Sequence, residues 1–226
     1  GTGLPLTVGG FGDIDITGAI QTGASGSVIK DGFGTYTPSG NNTYTGATTI
    51  TAGAVKVGAT GDGTNSPLGT AATATTISAA STSGGGYLDL NGISLSIAEP
   101  LSINGIGTGT GDFATGAVIN SSVSTVTHTG TPTLGSSSLI KGTSGAINFT
   151  STSATAGTGF TLTLGGAGGG TLTGAFTGGT SAAITKIDSG TWTLSGDSTF
   201  TGATTIYQGT IKLGATGGVT NTPLGT

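Results

Sequence analysis

Asp13 and Asp15 alternate with Ile14 and Ile16, so in an extended strand both carboxylates face one side and both isoleucines the other. Two carboxylates beside backbone carbonyls are the donors a calcium ion takes, with about six to eight oxygens in all. A saccharide-cleaving site would ask for clustered carboxylates, commonly with a lysine or arginine as base. The chain offers one Glu, eight scattered Asp, five Lys and no Arg. Glu99 stands before Pro100 in a strand-like run and reads as an exposed edge charge. His128 has no second His and no Cys with which to hold a metal, and reads as a surface or satisfied histidine. Lys30, Lys56, Lys186 and Lys212 read as outward or edge lysines that discourage unwanted strand pairing. Gly165–Gly170 is no phosphate loop, because neither GKS nor GKT follows it. Thr-X-Thr pairs such as Thr35/Thr37, Thr171/Thr173 and Thr191/Thr193 would bind ice if they stacked on one flat face, but their separation is too irregular to expect it. No catalytic, cofactor-binding or metal-ligating residue is assigned, and no cofactor; the protein is expected not to be an enzyme.

The elements that carry these side chains come from a repeat. Gly34–Gly58, GTYTPSGNNTYTGATTITAGAVKVG, returns as Gly190–Gly214, GTWTLSGDSTFTGATTIYQGTIKLG, at an offset of 156. GTGLPLTVGG at Gly1–Gly10 returns as GTGFTLTLGG at Gly157–Gly166, and TNSPLGT at Thr64–Thr70 as TNTPLGT at Thr220–Thr226. Of the 70 aligned pairs 38 are identical. Residues 1–156 therefore read as one complete tandem unit and 157–226 as the first part of the next, continuous with it. The offset also bears on the aspartates: Asp13 and Asp15 become Gly169 and Thr171, so a solvated pair is the simpler reading.

Glycine (48 residues) and threonine (49) supply over two-fifths of the chain, and 6% is charged, against about 25% in an average globular protein. Low charge with 33% apolar residues is not the signature of disorder. Gly is costly inside helices and Thr is restricted at χ1, whereas Thr, Val, Ile, Tyr and Phe between Gly-rich corners suit short strands. The net charge of −4 leaves no basic patch for nucleic acid. No apolar run approaches the ~20 residues of a membrane helix, so the segment is not expected to span a membrane by a helix. Absence of Cys removes disulfides and thiolate chemistry and suits a protein folded outside the cell.

The chain is expected to be all-β. Strands recur every six to ten residues, too closely for helices between them, which leaves a β-solenoid or tandem β-sandwich domains. Small or aliphatic inward residues and the scarcity of aromatics favour the solenoid. Coils of roughly 20–25 residues would make about seven per unit. Within that frame Leu88 and Leu90 face inward and Asp89 outward, Asn91-Gly92 and Asn104-Gly105 make tight turns, and Gly61–Thr70 is a surface loop.

Lys186, Gly190-Thr191, Leu194, Gly196, then Phe200, Gly202, Thr204 and Ile206, then Gly209 and Gly214, resemble the autotransporter-associated β-strand repeat. The first copy matches through Lys30, Gly34, Gly40, Asn42, Tyr44, Gly46, Thr48, Ile50, Gly53 and Gly58. It departs at Pro38, where the pattern has leucine, so that strand is expected to be an edge or kinked. The resemblance implies a right-handed parallel β-helix at the bacterial surface or in the extracellular space, serving as stalk, spacer or adhesin, and it brings no catalytic residue. The expected function is a non-catalytic structural segment of a surface or exported protein, a fibre that stacks coil on coil. Its expected partner is itself, by end-to-end or lateral stacking. The second reading is an adhesin that uses Gly61–Thr70 and its copy Gly217–Thr226 to contact glycans or host surfaces.

Overall fold

The computed structural model describes residues 3–23, 25–79, 84–111, 114–214 and 222–226. Its strands are mostly three to five residues long, as short Thr- and Val-rich runs between glycines dictate. They pair in parallel with strands one coil away and build a β-solenoid of about nine turns, with no α-helix among the described residues. Tandem β-sandwiches do not form.

Three faces run along the axis. Face A stacks β1 (Leu6–Val8), β3 (Val28–Lys30), β5 (Thr48–Ile50), β7 (Thr75–Ile77), β9 (Leu101–Gly105), the first half of β12 (Pro132–Lys141), β14 (Ser153–Ala156) and β17 (Ala175–Thr177). Face B stacks β2 (Ile14–Ile16), β4 (Thr35–Pro38), β6 (Gly53–Lys56), β8 (Gly86–Asp89), β10 (Val118–Ile119), the second half of β12, β15 (Thr161–Gly165), β18 (Ala183–Lys186) and β20 (Thr204–Ile206). Face C becomes regular later, with β11 (Val126–His128), β13 (Ile147–Phe149), β16 (Gly170–Leu172), β19 (Thr191–Leu194) and β21 (Thr210–Leu213). Strand β12 turns the A/B corner without a break, at the cost of a register shift between Leu134 and Ser138.

Side chains alternate along a strand, and most of the three-residue strands turn their first and third residues inward and their second outward; β17 is the reverse, with Phe176 inward. Val28 and Lys30 are buried around a half-exposed Ile29, and Thr48 and Ile50 around Thr49. The inward side chains of all three faces form one continuous core, from Val8 to Phe200. The outward column of face A reads Thr7, Ile29, Thr49, Thr76, Ser102, Thr133, Thr155, Thr177 in unbroken register. In this column the Thr155 hydroxyl donates to Thr133 Oγ1 at 3.0 Å. The Thr-X-Thr pairs named from the sequence do not share one face, since Thr35 lies on face B and Thr171 and Thr191 on face C; the threonines of this column, irregular in sequence, are regular in space because the loops absorb the irregularity. Stacked neighbours are as few as 19 residues apart (Thr35 on Ala54) and as many as 33 (Gly53 on Gly86).

Pro38 is the last residue of β4, which lies between β2 and β6. It caps an inner strand, neither edge nor kink. Asp89 is buried, not solvated: its carboxylate accepts from the Asn91 and Ser121 amides and the Ser121 hydroxyl. Leu88 and Leu90 are fully buried. Asn91 and Gly92 both have positive φ, 51° and 75°, as a tight Asn-Gly turn requires.

The 156-residue offset does not bring the chain back to the same face. Leu6 lies on face A and its counterpart Leu162 on face B; Tyr36 lies on face B and Trp192 on face C. Equivalent residues are thus separated by six turns and one further face, not the expected seven turns. At about 4.8 Å per strand spacing this is an advance of roughly 30 Å. The core adjusts between copies. Tyr36 stacks on Ile14, whereas Trp192 stacks on Gly170. A Cβ on Gly170 would meet the Trp192 ring, so the larger indole sits where its neighbour has no side chain.

Candidate functional site

Lys30 closes β3 on its inward side, in the column between Val8 and Ile50. The residue is 2% exposed. Its ammonium donates to the carbonyls of Asp31 (2.8 Å), Gly32 (2.7 Å) and Ala52 (3.1 Å), so all three of its N–H groups are used. The first two carbonyls belong to the corner that follows β3, and the third to the same corner one coil on. Gly53, at φ 66°, makes this approach possible: a Cβ there would run into the Gly32 and Gly34 carbonyls and the lysine nitrogen.

Lys186, 0% exposed, repeats the arrangement 156 residues later and one face round. It donates to the carbonyls of Ile187, Asp188 (2.6 Å) and Gln208 (3.2 Å). Burial lowers the pKa of both lysines, opposed by Asp31 and Asp13 for Lys30 and by Asp188 for Lys186. The outward reading of Lys30 and Lys186 is wrong. The clue was their parity: each stands two residues after an inward Val or Ile and four before the Gly that precedes the next strand. Lys56 is half-exposed and Lys212 exposed, as the outward reading has it.

Glu99 and His128 are corrected too. Glu99 is 0% exposed; its Oε1 accepts from the Thr75 hydroxyl at 2.7 Å, and Oε2 has no hydrogen-bond partner. Burial pushes its carboxyl up to about 7, against the opposing pull of Thr75. His128 ends β11 facing inward, its ring 5.5 Å from that of Phe149 in an edge-on contact. Burial holds it down to about 4, opposed by a hydrogen bond to the Glu99 carbonyl; its Nε2 lacks a partner. Glu99 thus reaches Thr75 in one coil with its carboxyl and His128 in the next with its backbone. Among the described residues no three His, Cys, Asp or Glu side chains gather as a metal site would need. The Asp13 carboxylate accepts from the Thr35 amide at 2.8 Å.

Other polar side chains clamp one coil to the next. Asn42 accepts from the Ile20 amide at 2.7 Å and donates to the Pro67 carbonyl at 2.6 Å. Its counterpart Ser198 accepts from the Phe176 amide at 3.1 Å. Asn120 accepts from Gly92 and donates to the carbonyls of Ser124 and Ala146. Thr48 donates to the Leu68 carbonyl at 2.8 Å, which makes Tyr44 the donor in their 2.7 Å hydroxyl contact.

Gly61–Thr70 is only half a surface loop. Asp62, Gly63 and Thr64 are exposed, but Ser66–Gly69 is buried, with Leu68 at 1%. Ser66 bridges to Asn42 and to Gly69, and Thr222 makes the same bridges to Ser198 and Gly225. The shared sequence of the two loops is explained by this interior half. Positions 217–221 of the second loop lie outside the described residues.

These polar side chains are committed to the backbone of neighbouring coils, which is the chemistry of fastening. Two segments, residues 28–57 and 184–213, each match the family model described as passenger-associated-transport-repeat. Both begin within the strand that ends in a buried lysine. No curated protein and no solved structure matches the chain.

Proposed function

From a chain that carries two autotransporter passenger-type repeats, we propose that this β-solenoid is a non-catalytic structural segment, a stalk or fibre. It belongs to a protein exported to the bacterial surface or the extracellular space. The carrying observation is the lysine held by three carbonyls in both copies. An ammonium whose protons are all engaged, deep in a core, is ill placed for nucleophilic or base chemistry. It is well placed to pin one coil to the next in a molecule without disulfides.

The partner this role calls for is another coil. Ile50 and Val57 are covered by the coil that follows them, whereas their counterparts Ile206 and Leu213 are exposed. The edge of β20 and β21 takes the same kind of covering, from this chain or another.

Limited digestion with proteinase K at neutral pH tests the reading. The parent chain is expected to survive largely intact, and a Lys30→Met/Lys186→Met double variant to be cut faster in proportion to its opening. Each single substitution strands three buried carbonyls and should cost about 2–4 kcal/mol. Rapid cleavage throughout the parent chain, or equal rates for parent and variant, would count against a fastened structural rod.

A further inference from the structure

Across β11, β13, β16 and β19, face C stacks consecutive coils without a register shift, with Val126, Ile147, Gly170 and Trp192 in line. Between the inward positions of these strands runs an outward column of Thr127, Asn148, Thr171 and Thr193. The ladder continues one residue beyond the strands. The Thr150, Thr173 and Ser195 amides donate to the His128, Phe149 and Leu172 carbonyls, each at 3.0 Å. Thr129, Thr150, Thr173 and Ser195 therefore form a second outward column beside the first. Thr129, Thr150 and Thr173 are exposed, and the other five side chains are partly exposed. The Thr171-X-Thr173 pair is thus one row of a lattice whose other rows are Thr127-X-Thr129, Asn148-X-Thr150 and Thr193-X-Ser195.

None of these eight side chains makes a hydrogen bond among the described residues. On face A, by contrast, the Thr155 hydroxyl donates to Thr133, and that of Thr177 to the Ala154 carbonyl at 3.4 Å. The outer hydroxyls of face C are left to water. The lattice carries no charge and no aromatic ring, and it ends at Lys212, the register partner of Thr193. Its exposure owes nothing to a chain end. The coil before β11 reaches it through Ser94, which accepts from the Thr127 amide, and β21 covers the edge of β19.

A flat lattice offers no concavity for a small molecule, no aromatic platform for a sugar ring and no buried anchor for a second copy. What it offers is repetition. Its rows lie about 4.8 Å apart along the axis, and its columns, two residues of strand apart, roughly 7 Å. Both intervals are close to the oxygen repeats on a prism plane of ice. Each threonine sets a hydroxyl beside a methyl on a side chain that is stiff at χ1, so water held there is already ordered in two directions.

We propose that face C adsorbs to ice through these two columns. The activity goes beyond the structural role and does not rest on it, because none of these side chains fastens one coil to another.

Ice-affinity partition tests it: ice is grown slowly from a dilute solution of the 226-residue chain, and protein in the ice is compared with protein left in the liquid. The parent chain is expected to be enriched in the ice relative to serum albumin, and to facet single ice crystals. Thr150→Lys, in the middle of the lattice, should bring incorporation down to the albumin level with the melting temperature little changed. Thr173→Tyr, made separately, should do the same, and it keeps the test valid if the lysine disturbs the fold. Thr49→Lys, the same change on the outer side of face A, should leave incorporation at the parent's level. Exclusion of the parent chain from ice overturns the site, as does full incorporation of both face C variants or an equal loss with Thr49→Lys. Self-association that Thr150→Lys abolishes, without incorporation into ice, would give the face to a second copy and overturn the ligand. A proteinase-resistant rod excluded from ice would remove this activity and leave the structural role standing.

Discussion

Glu99 and His128 carry opposite consequences of the same burial. The folded state keeps Glu99 protonated where the unfolded chain releases the proton, so this residue makes stability fall as pH rises from about 4.5 to about 7. His128 stays neutral in the fold where the unfolded chain is charged, so it makes stability fall as pH drops from about 6.5 to about 4. Between about 4.5 and 6.5 the two slopes, each up to about 1.4 kcal/mol per pH unit, oppose one another. Relative to the parent chain, Glu99→Gln should add stability that grows with pH across this window, and His128→Leu stability that grows as pH falls. Urea midpoints at three pH values measure both; parallel profiles for parent and variants would refute the assignment. Neither residue was legible as buried from its neighbours. Glu99 stands beside a proline, outside any strand, and His128 stands between threonines, where burial is decided by parity within a three-residue strand. A charged residue on the inward parity looks, in sequence, like one on the outward parity displaced by a single position.

At the scale of elements, the repeated Ser/Thr-Pro-Leu-Gly corner shows how a loop can be core. Leu68 is 1% exposed and Leu224 39%, although the flanking sequences are nearly the same. Leu68→Ala should cost about 2–4 kcal/mol, and Leu224→Ala under about 1 kcal/mol, read from thermal or urea unfolding of each variant. Strand type and parallel stacking were legible, because Thr, Val and Ile between glycines at six- to ten-residue spacing leave few alternatives. Coil lengths were not. The span from Val57 to Gly86 includes the half-buried loop, a polar stretch and β7 on face A, and nothing local announces that face B will resume stacking only after 33 residues. Pro38 misled in the same way: a missing N–H matters where a strand continues, and β4 stops there.

For the whole molecule, the column of face A provides a direct test. Thr155 and Thr177 are register partners, with Cα atoms about 4.8 Å apart, inside the roughly 4.4–6.8 Å window of a disulfide. In a chain with no native cysteine, Thr155→Cys/Thr177→Cys should cross-link readily under mild oxidation. Thr177→Cys/Thr205→Cys should not, because Thr205 continues the column of Thr185 on face B. Cross-linking of the second pair would mean that the repeat returns to the same face. The tandem repeat itself was plain in the sequence. Its phase around the axis was not, since 156 residues fix a length of chain and only the loops decide how many turns that length makes.

This phase turns one sequence into several directions. An antibody raised against a corner of the first copy that is conserved in the second would find its two epitopes pointing a third of a turn apart and some 30 Å along the axis. Both could be occupied at once without crowding. For the same reason a sticky residue written into the repeat would not line up into one adhesive seam. Neighbouring rods could not zip together along it, and side-by-side clumping would be discouraged by geometry, with little help needed from charge.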